Sequence, residues 1–155
     1  RTVFTNSLVG TKTGGRPKTV YKDVSGILRR YMALKAEHGI PQQRLPWEYV
    51  SLSRNFDDNN TWEYCTGHVV DSLGAIPGVF SAFEVPAGKY AVFPIRARLR
   101  LTLGLAIGRT KKTIYEKWFP TSGFAFAGHE FEYNNEKMFE ANQNYIDLFV
   151  AVKEK

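Results

Sequence analysis

The order of the predicted elements repeats once along the chain, and this repeat is the feature that most constrains the fold. Each half contains a strand, a helix that ends at a glycine or proline signal, and then two more strands. One such unit is too small to bury the face of its own sheet, so two units are expected to pack together. The sequence therefore predicts an α+β fold made of two strand–helix–strand–strand units.

The first unit opens with an apolar run at 4–9, which predicts a strand, and the glycine pair at 14–15 predicts the loop after it. Asp23 is a suitable N-cap for the helix that follows, and Gly39 with Pro41 supplies its end. The apolar residues of this helix recur at steps of three and four: Val24, Ile27, Leu28, Tyr31 and Leu34. One face of the helix is therefore expected to pack on the core.

A hairpin closes each unit. In the first unit, β-rich runs at 47–56 and 62–70 flank the turn-forming residues DDNN. In the second unit, HEFEYNN at 129–135 is followed, after a polar turn, by YIDLFVAV at 145–152. Each pair of runs is expected to form two antiparallel strands, because that is the arrangement that a short turn allows.

The second unit opens with a strand-like segment at 80–101, which Pro86, Ala87 and Gly88 interrupt. Its second part alternates strictly, with apolar residues on one face: Phe93, Ile95, Ala97, Leu99 and Leu101. The other face carries Arg96, Arg98 and Arg100. Such alternation predicts a strand with one buried face and one solvated face.

The helix of the second unit is expected to end at Pro120, because proline followed by TSG cannot continue a helix. Its start is open between two positions. A start near Thr102 places four apolar residues on one face: Leu103, Ile107, Ile114 and Trp118. A start at Thr110 avoids Gly104 and Gly108, each of which costs a helix about 1 kcal/mol relative to alanine.

Length and composition indicate one globular unit. A chain of 155 residues, 43% of them apolar, can bury one ordinary core, whereas two half-size domains would be marginal. We expect a single domain at residues 1–155, with units at approximately 1–78 and 79–155. No apolar run reaches the length of about 18 residues that a membrane span needs, and no export signal is visible. The sequence therefore predicts a cytoplasmic protein, and its start at Arg1 leaves an upstream domain open.

The residues that commonly hold metals or act as nucleophiles form no recognisable pattern. The single cysteine, Cys65, cannot form an intramolecular disulfide, and no histidine lies at a zinc-ligand spacing. No acyl-transfer triad and no Gly-rich phosphate loop is present. We expect neither a metal nor another cofactor, and we expect His68 and His129 to make loop or surface hydrogen bonds.

Positive charge is concentrated in one part of the chain. The net charge is +6, and a basic protein attracts phosphate backbones and acidic surfaces. No acidic residue occurs from Val85 to Tyr115, whereas the region from Arg96 to Lys112 is rich in arginine and lysine. Two interpretations remain open: solvated faces of a strand and a helix, or a surface for nucleic acid or an acidic partner.

Glu132 interrupts an otherwise aromatic stretch of the strand HEFEYNN. In an alternating strand Phe131 and Tyr133 share one face and Glu132 takes the other, with Glu130 on the same face as Glu132. A glutamate that points into an aromatic cleft from a central strand is costly to bury without a cationic partner. If the protein lacks that partner, a planar lipophilic cation can supply it, since its rings also suit aromatic faces.

Four segments resemble the GyrI-like (gyrase-inhibitor-like) family, which includes the effector-binding domains of AraC-type and MerR-type multidrug-responsive activators of bacteria. They are EVPAGKYAVFPIR at 84–96, TIYEKWFPTSGF at 113–124, HEFEYNN at 129–135 and YIDLFVAVKEK at 145–155. The resemblance implies two units about a pseudo-twofold axis, with a ligand groove between two helices and a central antiparallel sheet. It also implies a domain that binds small cationic, lipophilic, aromatic molecules and works with a DNA-binding domain outside this chain.

The resemblance also implies the residues of the site. The pocket acid of the family corresponds to Glu132. The helix that ends in WFP and the last strand would supply the wall: Tyr115, Trp118, Phe119 and Tyr145. We add Tyr90, one of the aromatic residues gathered at strand ends, to the expected ligand-binding set. The family's glycine near position 97 is missing, and arginines stand there instead, which leaves open whether the groove entrance repels a cation or binds an anion.

Two other functions remain as alternatives. Some members of the family are hydrolases of electrophilic ring compounds, and Glu132 with Tyr115 or Tyr145 would act there as base and orienting hydroxyl. The gyrase inhibitors instead act through a protein partner, which would place the function on the outer surface and not in the groove.

Overall fold

The computed structural model describes residues 2–3, 6–15, 20–59, 61–141 and 144–155. Its strands are β1 (Thr2–Val3), β2 (Asn6–Gly15), β3 (Glu48–Arg54), β4 (Trp62–Val69), β5 (Ser81–Val85), β6 (Gly88–Arg96), β7 (Phe124–Asn135) and β8 (Tyr145–Glu154). Its helices are α1 (Val20–His38), α2 (Leu103–Thr113), α3 (Phe119–Thr121) and α4 (Glu136–Glu140). A 3₁₀ turn (Arg100–Thr102) precedes α2, and a π-helical turn (Ile114–Trp118) joins α2 to α3. No helix in these ranges is long and apolar enough to cross a membrane.

All strands of the described chain pair antiparallel in one sheet, with the order β1-β6-β8-β7-β3-β4-β2-β5. The first unit supplies the run β2-β4-β3, and the second supplies β6-β8-β7 in the mirrored order. The two units meet where β3 pairs with β7. The predicted α+β fold of two strand–helix–strand–strand units in a pseudo-twofold arrangement is therefore confirmed.

The sheet curls, because its two ends are joined by short connections. Strand β5 lies at one end of the strand order and β6 lies next to the other end, yet only Pro86 and Ala87 separate them. Three trans peptide bonds span at most about 11 Å. The outer strands therefore approach each other, and one face of the sheet becomes concave and enclosed.

Hydrophobic residues fill both faces of the sheet. The enclosed face holds the largest cluster, in which Phe131 and Phe149 stack with ring centroids 4.6 Å apart. The other face carries two separate clusters, one beneath each long helix. The cluster under α1 contains Tyr31, and the cluster under α2 contains Ile114 and Leu148. A gap remains between them, above the central strands.

The predicted strand through Leu101 is wrong at its end. Strand β6 stops at Arg96, whose register partner on β8 is Tyr145, the first residue of that strand. One more backbone hydrogen bond follows, from Ala97 N–H to Asn144 O at 2.8 Å, and the chain then turns into the 3₁₀ segment at Arg100. Leu99 and Leu101 are consequently 60% and 93% exposed, and not on a buried face.

Two further boundaries differ from the sequence predictions, at the end of β2 and at the start of α1. Phe4 lies outside the described residues, and β2 continues through Gly15, which pairs with Trp62, where a loop was expected. Helix α1 begins at Val20, before Asp23, and ends before Gly39, which has the positive φ of 66° typical of a helix C-terminus. The helical segment of the second unit starts near Thr102, the earlier of the two predicted positions, and runs to Thr121.

Candidate functional site

A cavity of about 560 Å³ lies between α1 and α2, above the strands where the two units join. Helix α1 contributes Val24, Ser25 and Leu28 to its wall. Helix α2 contributes Gly104, Ile107, Gly108 and Lys111, a spacing that places all four on one helix face. The strands and the loop after β3 contribute Tyr49, Ser51, Ser53, Phe56, Trp62, Tyr64, Glu130, Glu132 and Ile146.

The floor of the cavity is a strip of polar side chains on the central strands. Ser51 lies in register with Thr66 on β4 and with Glu132 on β7. Its hydroxyl is 3.0 Å from that of Thr66, which also hydrogen-bonds the hydroxyl of Tyr49. Ser51, Ser53 and Thr66 are buried. Apolar residues would avoid the cost of desolvating these groups, so a polar floor within an otherwise apolar cavity is typical of a binding surface.

Two carboxylates share one ammonium in this cavity. Lys111 Nζ lies 2.6 Å from Glu130 Oε1 and 3.2 Å from Glu132 Oε1. Burial alone would lower the pKa of Lys111, but the two carboxylates outweigh this effect and raise it above its ordinary value. Lys111 therefore stays protonated at neutral pH, and it is the cationic partner that we did not identify from the sequence.

The geometry of this cluster follows from two simple periodicities. Glu130 and Glu132 are two residues apart on β7 and so share one face of the strand, as predicted. Lys111 and Tyr115 are four residues apart along the helical segment and so face the same way. Lys111 and Tyr115 lie above the two glutamates, and the Tyr115 hydroxyl donates to Glu130 Oε2 at 2.7 Å.

The tyrosines near the carboxylates remain neutral hydroxyls. Burial raises the pKa of Tyr49 to about 12, and the charge of Glu132 acts in the same direction. Burial, and to a smaller extent the charge of Glu132, raises the pKa of Tyr64 well above its ordinary value. Burial, and to a smaller extent the charge of Glu130, raises the pKa of Tyr115 in the same way. The cavity therefore offers hydroxyl groups and aromatic faces but no phenolate.

One end of the cavity has an aromatic wall. Phe56 and Trp62 stack with their ring centroids 5.8 Å apart. Phe126 contacts Phe56 at 5.7 Å on one side and Tyr115 at 5.5 Å on the other. The wall is thus continuous with the rings under the π-helical turn, whose backbone is widened by a bond from Phe119 N–H to Ile114 O. Turns of this kind are rare and frequently lie at functional sites.

The structure brings only some of the predicted site residues together. Glu132 lines the cavity, and Tyr115 lies beside it, where it contacts Glu130. Trp118 and Phe119 pack in the core beneath the helical segment, with their rings 5.0 Å apart.

The other two predicted residues lie away from the main cavity. Tyr90 is on the enclosed face of the sheet and donates to Pro86 O. Tyr145 lines a second cavity of about 160 Å³, which shares Asn134 and Ile146 with the first. The oxygen Asn134 Oδ1 is buried and has no hydrogen-bond partner among the residues that the structure describes.

Sequence reasoning missed several residues of this site, above all Lys111. The helical spacing could have identified Lys111, because in a helix that starts near Thr102 it shares one face with Gly104, Ile107 and Gly108. The glycines instead favoured a later start, and lysines at this position are usually solvated. The predicted hairpin runs at 47–56 and 62–70 contain Tyr49, Phe56, Trp62 and Tyr64, but nothing in their pattern identified them as site residues.

The two histidines singled out in the sequence are not loop or surface residues. His68 is buried on β4, where Nδ1 meets the Tyr31 hydroxyl and Nε2 lies 3.3 Å from Lys35 Nζ. His129 lies on β7, and its Nε2 is 2.7 Å from the Tyr90 hydroxyl. Within the described residues, no group of three His, Cys, Asp or Glu side chains is placed to hold a metal ion.

Comparison with known proteins places this site in context. A family model described as integron-associated effector binding protein matches residues 1–152. SAV2435 bound to tetraphenylphosphonium is 13% identical, with a TM-score of 0.74, and the match covers 99% of this chain and 92% of that chain. An integron cassette protein from the mobile metagenome of Vibrio cholerae is 13% identical, with a TM-score of 0.62 and coverage of 99% and 94%.

A third solved structure, the C-terminal domain of EcmrR, is 12% identical, with a TM-score of 0.61 and coverage of 100% and 96%. EcmrR has also been solved in complex with DNA, where the match covers 56% of its chain. At these identities the likeness shows a shared fold. No curated protein sequence matches the chain significantly.

Proposed function

The chain belongs to the family of integron-associated effector-binding proteins, and from this premise we propose that residues 1–155 form one domain that binds a lipophilic, aromatic cation between α1 and α2. The family match bears out the resemblance to GyrI-like effector-binding domains seen in the sequence. The proposal adds the chemical class of the ligand and the residues that hold it.

The observation that carries the proposal is the excess of carboxylate over ammonium in an aromatic-lined cavity. Among the described residues, Glu130 and Glu132 face one ammonium, that of Lys111, and Phe56 and Trp62 form a wall at one end. A ligand cation near Glu132 would balance the remaining negative charge, and its rings would pack on the aromatic faces. The cavity of about 560 Å³ falls within the range usual for sites that hold drug-sized molecules.

Two structural neighbours agree with this proposal. SAV2435 has been solved with tetraphenylphosphonium, an aromatic cation. EcmrR has been solved with DNA, and this chain matches only part of it. By analogy, we propose that ligand binding by this domain controls transcription in the cytoplasm. The DNA would be bound by a separate domain that does not belong to residues 1–155.

The test is a fluorescence titration with rhodamine 6G at pH 7.5. Trp62 lines the cavity, so a bound dye is expected to quench tryptophan emission saturably. Glu132→Gln removes the proposed anchor without changing the size of the side chain. We expect it to weaken binding at least about tenfold, near 1.4 kcal/mol. Glu116→Gln is the matched control, because Glu116 is an exposed acid of the same helical segment that does not line the cavity.

Equal binding by wild type and Glu132→Gln would remove Glu132 as the anchor. The absence of saturable binding in the wild type would contradict the proposal and direct attention to the basic region from Arg96 to Lys112 as a surface for a macromolecular partner.

A further inference from the structure

The charged groups of the cavity do not cancel. Among the described residues that line it, the charged side chains are Lys111, Glu130 and Glu132. Tyr49, Tyr64 and Tyr115 lie close to the carboxylates but remain neutral because burial raises the pKa of each phenol. One ammonium against two carboxylates leaves a single negative charge.

Glu130 is the carboxylate that the protein itself neutralises. Its side chain is 6% exposed, one oxygen lies 2.6 Å from Lys111 Nζ, and the other accepts the Tyr115 hydroxyl at 2.7 Å. Both oxygens are therefore occupied by short interactions. A buried carboxylate with this environment has no need of a ligand.

Glu132 is the carboxylate that is left for a ligand. Its side chain is 26% exposed, and its contact with Lys111 is the longer one, at 3.2 Å through Oε1. Within the part of the chain that the structure describes, Oε2 makes no hydrogen bond or ion pair. The residual negative charge therefore lies at Glu132, on the floor of the cavity.

We propose that Lys111 sets the charge of the accepted ligand, so that the cavity selects monocations over dications. This inference rests on the proposed function, since it presupposes that cations bind here. A monocation near Glu132 makes the site neutral. A dication of the same shape leaves one uncompensated positive charge close to the Lys111 ammonium, in a cavity where water screens charges poorly.

The test compares two biaryl cations of similar shape by isothermal titration calorimetry. N-methyl-4-phenylpyridinium carries one charge, and methyl viologen, the dimethylbipyridinium dication, carries two. All titrations use the same buffer at one pH, about 7.5. The wild type is expected to bind the monocation at least about tenfold more tightly, which corresponds to about 1.4 kcal/mol.

Three variants change the charge of the site in steps. Lys111→Met leaves two negative charges and is expected to shift the preference at least tenfold toward the dication. Glu130→Gln leaves Lys111 to neutralise Glu132, so it is expected to weaken monocation binding at least tenfold, although Glu130 is not the ligand's anchor. The double variant Lys111→Met/Glu130→Gln returns the site to one negative charge and is expected to recover the wild-type affinity and preference.

Recovery in the double variant would show that the charge of the site determines the affinity. If Lys111 and Glu130 only supported the structure, the double variant would bind more weakly than either single variant. It also keeps the test decisive if Lys111→Met alone fails to fold. Unchanged preference in the variants would overturn the role of Lys111 while leaving the proposed function intact. Failure of the wild type to bind either cation would instead contradict the proposed function itself.

Discussion

The Tyr115 hydroxyl donates a 2.7 Å hydrogen bond to Glu130 Oε2 across the boundary between the π-helical turn and strand β7. This bond and the Lys111 contact together hold a nearly buried carboxylate beside the cavity. The helical segment is thus connected to the central sheet by polar contacts as well as by apolar packing. Loss of either contact should affect stability.

Tyr115→Phe should destabilise the protein by about 1 to 2 kcal/mol, because it removes one donor to a charged, buried acceptor and keeps the ring. Urea unfolding followed by circular dichroism measures the change. Tyr145→Phe is the control, since within the described residues the Tyr145 hydroxyl makes no hydrogen bond and the Tyr145 ring faces the Arg96 guanidinium. Similar losses in both variants would mean that the Tyr115 bond contributes nothing specific.

Gly104→Ala should stabilise the fold and weaken ligand binding together. Apart from its own helix backbone and chain neighbours, a methyl group at Gly104 would meet no described atom within 4 Å, and Gly104 lines the cavity. Within a helix, alanine is more favourable than glycine by about 0.5–1 kcal/mol. The added methyl group also reduces the space that is left for a ligand.

Gly26→Ala is the matched control, because Gly26 is an exposed glycine in α1 that does not line the cavity. It should raise the melting temperature similarly and leave rhodamine 6G binding unchanged. Equal binding by the wild type and both variants would show that the ligand does not approach Gly104.

Stability should fall as pH decreases from 6.5 toward 4 because of His68. Burial, helped by Lys35, lowers the pKa of His68 from 6.5 to about 4 in the native state. Between these values the unfolded chain binds a proton that the native chain does not, so stability rises with pH and the contribution levels off above 6.5. The pKa shift of His68 therefore contributes up to about 3 kcal/mol to the free energy of unfolding above pH 6.5.

Urea unfolding at several pH values measures this slope. His68→Gln should reduce it, although not to zero, since burial also lowers the pKa of His129. An unchanged slope in His68→Gln would show that other groups cause the pH dependence.

Trp62→Leu should weaken rhodamine 6G binding by about 1 to 2 kcal/mol, because it removes the ring that forms the cavity wall with Phe56. Trp118→Leu should change the affinity by less than about twofold, since Trp118 packs against Phe93 in the core, 5.3 Å away. Calorimetry on variants that are folded by circular dichroism distinguishes the two. The reverse ranking would favour the wall that the family resemblance implies.

Alternation within strands was the most reliable guide to this structure. It predicted that Phe131 and Glu132 face opposite sides, and the structure places Phe131 against Phe149 in the enclosed core and Glu132 on the cavity floor. The same alternation failed beyond Arg96, where strand β6 ends although the side-chain pattern continues to Leu101. Periodicity describes which residues share a face, but not how far a neighbouring strand extends.

The sequence by itself determined the order of elements, the pairing of each hairpin and the face on which Glu132 lies, because all of these depend on local periodicity and turn residues. Only the tertiary structure decided that Lys111 from α2 reaches Glu130 and Glu132 on β7. It also decided that Phe56 and Trp62 form the cavity wall. These contacts depend on how the two units pack across the β3–β7 junction and on the path of the helical segment, and no local pattern encodes the distance between side chains that far apart in the chain.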